Sequence, residues 1–174
     1  LYILGLGSPT HPLPPESYRA YCSTYQWKKI YDRELLYSGP LFTHQLSHMW
    51  IDFRGIRDDF MQERGSDYFE NSRQATFVQQ EYAIRNPMNF AGYGEHCWGF
   101  TACDGPGWAK RVVNGVEREF FAYTARGAPF GPDDGTVAPW VVEASLPFAP
   151  EIVIPTVRHF ARMDLGMTGK YGFR

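Results

Sequence analysis

Apolar and polar positions alternate along this chain with helical spacing in most segments, broken repeatedly by proline and glycine. The opening run, Leu1-Tyr2-Ile3-Leu4-Gly5-Leu6-Gly7, reads as helix with no capping residue before it. It ends at Ser8-Pro9-Thr10-His11-Pro12-Leu13-Pro14-Pro15, because each proline removes a backbone donor and disfavours helix in the residue before it. A second helix is predicted from Pro15, with Glu16 in its first turn and a stripe of Tyr18, Tyr21, Cys22 and Tyr25, continuing to about Tyr31. Gly39-Pro40 breaks the chain again.

Residues Leu41 to Phe53 predict a third helix. At about 100° per residue, Phe42, Leu46, Met49, Trp50 and Phe53 share a sector about 100° wide, opposite His44, His48 and Asp52. That second face carries imidazoles, a carboxylate and Ser47 instead of Lys and Glu, so it is expected to look into a polar cavity or onto another helix. A fourth helix is predicted from Gly65 to Arg85, closed by Asn86-Pro87. Its apolar residues lie nearly all round, with Tyr68, Ala75, Val78 and Tyr82 on one side, Phe69 and Ala83 on another and Phe77 and Ile84 on a third, as in a helix surrounded by protein.

The pattern then changes. Asn86 to Gly107 is rich in glycine and aromatics, a composition of functional loops. Arg111 to Phe120 predicts a β-hairpin about Asn114-Gly115, since a type I′ turn needs positive φ at both central residues. A loop from Arg126 to Thr136 contains Asp133-Asp134-Gly135, read as a turn or a helix N-cap. Helix resumes from about Ala138 to Ser145 and from Ala149 to Met163. The chain is thus read as mainly α, helices paired across long loops with one inserted β-hairpin.

Composition narrows the function classes. The 174 residues suit one domain, and 44% hydrophobic against 21% charged residues argue for a packed core. Seventeen basic and nineteen acidic residues leave a net charge of -2, without the basic excess that a phosphate backbone demands, so nucleic acid is not expected as a partner. No apolar run has the length of a membrane span, and membrane insertion is not expected. Cys22, Cys97 and Cys103 lack the spacing of a disulfide framework or a cysteine zinc site. The distinctive figure is 17% aromatic residues, from thirteen Phe, eleven Tyr and five Trp.

Three groups could carry chemistry. His44 and His48 have the spacing of an HExxH zinc pair, but Gln45 stands where a metalloprotease needs a carboxylate base. Two hydrogen-bonded histidines in a polar interior are the preferred reading, which leaves room for substrate contact; metal-dependent hydrolysis is a weaker one, and no metal or other cofactor is expected. The segment from Tyr93 to Gly107 sets Glu95 and Trp98 between glycines: either a sugar-binding carboxylate and platform, or a surface ion-pair partner and a core ring. Asp52 and Arg54 read first as a helix-end ion pair and second as substrate contacts.

Several phrases taken together resemble one family. They are Leu4 to Pro12, Pro40 to Gly55, Asp67-Tyr68-Phe69-Glu70-Asn71-Ser72, Glu95 to Pro106, and Phe148-Ala149-Pro150-Glu151-Ile152. They resemble the bacterial glycoamylase-like domain, whose characterised relatives are endo-β-1,2-glucanases, over essentially the whole chain. The resemblance implies part of an (α/α)₆ toroid with a sugar cleft at one end of the ring. It implies an inverting glycoside hydrolase acting on a β-glucan, most naturally β-1,2-linked, in the periplasm or secreted. Glu95 and Asp104 are the carboxylates named for catalysis within the chain, with His44, His48, Asp52, Arg54 and Trp98 at the substrate. A Tyr-Asn-Glu phrase carrying the general acid is expected before Leu1, so residues 1–174 are read as a partial catalytic domain. Alone they are expected to be inactive and poorly soluble, with Leu1 to Leu6 and the helix of Ile152, Val153 and Val157 exposed. The alternative is a carbohydrate-binding protein of the same fold without turnover, which needs the aromatics but no carboxylate of raised pKa.

Overall fold

The eighteen-residue helix Tyr68–Arg85 is the axis of this computed structural model, which describes residues 2–163, 168–169 and 172–173. Three helices precede it: α1 (Tyr2–Leu6), α2 (Pro15–Cys22) and α3 (Asp59–Glu63), so the long helix is α4. Two follow it, α5 (Pro139–Glu143) and α6 (Pro150–Arg162). Leu1, and Tyr171 and Arg174 of the closing phrase, lie outside the described residues.

Helix α4 starts where Asp67 accepts a hydrogen bond from the Glu70 amide at 2.8 Å, and ends where Asn86 turns left-handed at φ 44°. One flank, with Val78, Tyr82 and Ala83, joins a core of Leu35, Leu41, Trp98, Phe100, Val141, Val142, Val153 and Phe160. Ala75 joins the same core, and several of the remaining buried positions are amides bonded to the backbone of neighbouring segments. Asn71 Oδ1 accepts from the Leu36 amide at 2.7 Å. Gln79 accepts from the Phe100 amide at 2.7 Å and donates to the Gly39 carbonyl at 3.1 Å, while Gln80 donates to the Glu95 carbonyl at 2.8 Å. Loops packed against a helix have no ladder to satisfy their backbone, and the α4 amides take that place. The helix is surrounded on most sides, as its pattern implies, except that Ile84 is half exposed and Phe77 lies under the guanidinium groups of Arg33 and Arg73.

Two predicted helices come out differently. Helix α2 stops at Cys22, where Ser23 and Thr24 turn their hydroxyls back onto the Ala20 and Tyr21 carbonyls. The chain then forms a hairpin of β1 (Trp27–Ile30) and β2 (Arg33–Leu36), pairing Trp27 with Leu36 and Ile30 with Arg33 around Tyr31 at φ 55°. Ile30 and Leu35 are buried, and this packing overrides local helical preference.

Leu41 to Phe53 is likewise not one α-helix. It makes two 3₁₀ turns, Leu41–His44 and Leu46–Met49, separated at Gln45 with φ -113°, and then leaves helix altogether. Tertiary bonds cause the break: the Leu41 amide donates to the Phe100 carbonyl, the Phe42 amide to Thr101, and buried Gln45 to the Val141 carbonyl and the Ser145 hydroxyl. The expected apolar face is therefore split. Phe53 is buried, while Leu46, Met49 and Trp50 are 52%, 71% and 83% exposed.

The hairpin about Asn114-Gly115 forms as read, from β4 (Ala109–Val113) and β5 (Val116–Phe120), with φ 53° and 79° at the turn. It is flanked by a short ladder of β3 (Ala102–Cys103) with β6 (Thr124–Ala125), so the chain carries more strand than the single hairpin expected. Asp133 and Asp134 do more than turn the chain. Asp133 accepts from the Tyr82 and Tyr93 phenols, and Asp134 pairs with Arg126. Beyond them the Gly127 backbone lies against Gly39, where a Cβ would collide with the neighbouring main chain. Helix α6 turns Val153 into the core, correcting its expected exposure, and leaves Ile154 outward. No helix of the described residues is long and apolar enough to cross a membrane.

Candidate functional site

The helix α2, the β1–β2 hairpin, the 3₁₀ turns and the start of α4 enclose a cavity of about 680 Å³. Its wall carries five phenols, from Tyr18, Tyr21, Tyr25, Tyr37 and Tyr68. Ser, Thr, Asn and Gln side chains, the two imidazoles of His44 and His48, and the apolar Leu36 and Phe53 complete it. None of the lining residues is Asp, Glu, Lys or Arg.

The charge state of the wall follows from its hydrogen bonds. Asn71 is oriented by Leu36, whose amide it accepts from and whose carbonyl it donates to at 3.4 Å, so its nitrogen faces His44 Nδ1 at 3.2 Å. An amide nitrogen only donates, which makes Nδ1 the acceptor; Nε2 then donates to the Ser38 carbonyl at 3.2 Å. His44 is thereby fixed as one neutral tautomer, and burial, partly opposed by the Ser38 carbonyl, brings its pKa down to about 4. Ser72 gives its proton to the His44 carbonyl at 2.6 Å, so His48 Nε2 donates to the Ser72 oxygen at 3.0 Å. Burial lowers the His48 pKa as well. The His48 ring is held edge-on by Phe53 and Phe148, at 5.0 and 4.8 Å between centroids.

Burial also pushes the Tyr25 phenol up to about 12, and raises Tyr37. Near neutral pH the wall is therefore uncharged: aromatic faces, hydroxyls, amides and neutral imidazoles. Such a surface suits a neutral polyol, which offers C–H faces to the rings and hydroxyls to the polar groups. Both histidines are committed to protein partners, and among the described residues no three His, Cys, Asp or Glu side chains converge as metal ligands do.

Of the residues read as site candidates, the structure brings only His44 and His48 to this cavity. Trp98 is completely buried in the core, its indole donating to Thr156 at 3.0 Å, so it offers no ring face for stacking. Of the two roles read for Trp98, this burial is that of the core ring. Glu95 is exposed in a turn closed by Gly94 and Cys97, and Asp104 is exposed in the loop before the hairpin; neither lines the cavity. Asp52 and Arg54 form an ion pair at 3.2 Å with 64% and 61% of their side chains exposed, the first of the two roles read for them. The residues that sequence reasoning missed are Tyr18, Tyr25, Tyr37, Tyr68, Asn71 and Ser72. A short helix whose stripe is tyrosine with no aliphatic partner was the available signal, because a core stripe seldom carries so many hydroxyls.

Known proteins match the chain along its whole length. It is 27% identical to the exo β-1,2-glucooligosaccharide sophorohydrolase (non-reducing end) of Parabacteroides distasonis, over 99% of this chain and 25% of that protein. It superposes with a TM-score of 0.81 and 31% identity on a crystal structure from Bacteroides uniformis described as a "putative glucoamylase", covering 99% of this chain and 40% of that one. The endo-β-1,2-glucanase of Chitinophaga pinensis, solved with sophorotriose and glucose, gives 0.76 and 28%, with 99% and 40% covered. The chain thus spans less than half the length of each of these relatives. The profile of the glycoamylase family, described as "Putative glucoamylase", matches residues 1–174, and the chain belongs to that family.

Proposed function

We propose that this chain forms part of the catalytic domain of a glycoside hydrolase acting on a β-glucan, with β-1,2-linked glucose as the substrate. The observation that carries the reading is the uncharged, phenol- and hydroxyl-lined cavity of about 680 Å³ between α2, the first hairpin and α4. The names of the Parabacteroides and Chitinophaga relatives support the linkage. In this reading the helices belong to an (α/α)₆ ring with the cavity in its cleft, and the protein works in the periplasm or outside the cell. Hydrolysis proceeds with inversion: one carboxylic acid protonates the leaving oxygen while another carboxylate, about 6.5–9.5 Å away, activates water. Among the described residues no carboxylate lines the cavity, so both groups are supplied from outside this wall.

That same observation favours a second reading, a carbohydrate-binding protein of the same fold without turnover. A reducing-sugar assay of the full-length protein on a panel of α- and β-glucans, with calorimetric binding in parallel, separates them. Reducing ends released from β-1,2-glucan and not from α-glucans are expected. Binding without release supports the second reading, and neither binding nor release overturns both.

A further inference from the structure

Tyr18 and Tyr68 stand side by side on the cavity wall, their phenol oxygens 3.0 Å apart. Both hydrogen-bond to a single atom, Oδ2 of Asp58, Tyr68 at 2.5 Å and Tyr18 beside it. Asp58 itself is not part of the wall. Its other oxygen accepts from the Met61 amide at 2.8 Å and so caps α3, which fixes the carboxylate from behind.

A carboxylate only accepts, and a phenol has one proton to give. Both tyrosine protons are therefore spent on Asp58, and neither phenol can donate to the other or to a ligand. Two neighbouring phenols without such a carboxylate would settle as one donor and one acceptor. Burial and the Asp58 bonds hold both phenols far above their ordinary pKa, so they stay protonated.

We propose that Asp58 is a positioning residue of the sugar site: by drawing the protons of Tyr18 and Tyr68 away from the cavity, it makes this stretch of wall a hydrogen-bond acceptor that selects a donating sugar hydroxyl. The proposal rests on the β-glucan reading of the cavity. A ligand that presents only an acceptor there, such as an O-methylated sugar, meets lone pair against lone pair and is rejected.

The test is Asp58→Asn in the full-length protein. Asparagine keeps an oxygen for the Met61 amide but sets an NH₂ donor against the phenols, so their protons turn toward the cavity. The expected result is a KM for β-1,2-gluco-oligosaccharides raised about tenfold or more, with kcat nearly unchanged and the thermal midpoint held within a few degrees. Tyr68→Phe, which leaves the carboxylate and its cap in place, is expected to raise KM comparably, and the double variant to add little beyond either. An unchanged KM in Asp58→Asn with a lowered midpoint overturns the proposal, leaving Asp58 a helix cap alone. Where Asp58→Asn does not fold, an unchanged KM in Tyr68→Phe overturns it equally. If the unaltered protein neither cleaves nor binds any β-glucan, the β-glucan reading fails and the proposal with it, a result distinct from unchanged variants of an active enzyme.

Discussion

Arg126 and Asp134 are joined by two parallel hydrogen bonds, Nε to Oδ1 at 2.7 Å and Nη2 to Oδ2 at 2.6 Å, with neither side chain exposed to solvent. The guanidinium also donates to the Cys103, Phe121 and Ala122 carbonyls, and the carboxylate accepts from the Phe121 and Thr136 amides. One ion pair thus satisfies the backbone of the loop that carries the second hairpin. Gly105 is glycine because a Cβ there would strike the same guanidinium.

Breaking this pair strands a buried charge. Arg126→Met and Asp134→Asn are each expected to cost about 3–5 kcal/mol of stability, and the double variant less than their sum. Urea unfolding of the three variants measures it; additive losses would mean that the two residues act separately.

Asp134 also sets an acid limit. Burial alone would push its pKa up, but the Arg126 guanidinium, the Phe121 amide and the Thr136 side chain outweigh it and hold it at about 2. A carboxylate with a depressed folded-state pKa stabilises the fold fully above its unfolded value, and that contribution disappears as pH falls toward 2. His44 acts over a higher window. Its folded-state value of about 4 lies below the ordinary 6.5, so the unfolded chain takes up the proton first and stability falls as pH drops from about 6.5 to 4. His44→Gln is expected to flatten that part of a midpoint-against-pH curve; an unchanged slope would remove His44 as its source.

Trp98→Ala is expected to destabilise by about 3–5 kcal/mol, as deletion of a large buried ring does. Glu95→Gln, on an exposed turn residue, is expected to leave stability within about 0.5 kcal/mol. Thermal melts of the two variants check the contrast, and a fold indifferent to Trp98→Ala would return that residue to the surface.

Activity of the full-length protein on β-1,2-glucan is expected to survive exhaustive EDTA, because His44 spends both ring nitrogens on Ser38 and Asn71, His48 spends Nε2 on Ser72, and no third ligand converges on them among the described residues. Loss of activity to chelation with recovery on adding Zn²⁺ would refute this.

Sequence by itself determined the elements whose causes are local. Asn86 closes α4 because a left-handed turn acts within a few residues, although the helix begins at Tyr68 and not at Gly65, and Asn114-Gly115 fixed its hairpin because Asn and Gly readily adopt the positive φ required. Pro40 stopped and restarted the chain where it was read to do so, and the polar side of 44–48 does face a cavity. Tertiary structure decided what depends on distant partners. Gln45 breaks its helix because Val141 and Ser145, about a hundred residues away, take its amide, and no local pattern carries that bond. Trp98 and Glu95 had equal claims on a sugar site until packing buried one and left the other outside. No local pattern marks Asp58: only the fold sets Tyr18 and Tyr68, forty and ten residues away in the chain, against its second oxygen. Caps and turns are read from neighbours, whereas burial and the direction of a shared proton are settled only when separate segments meet.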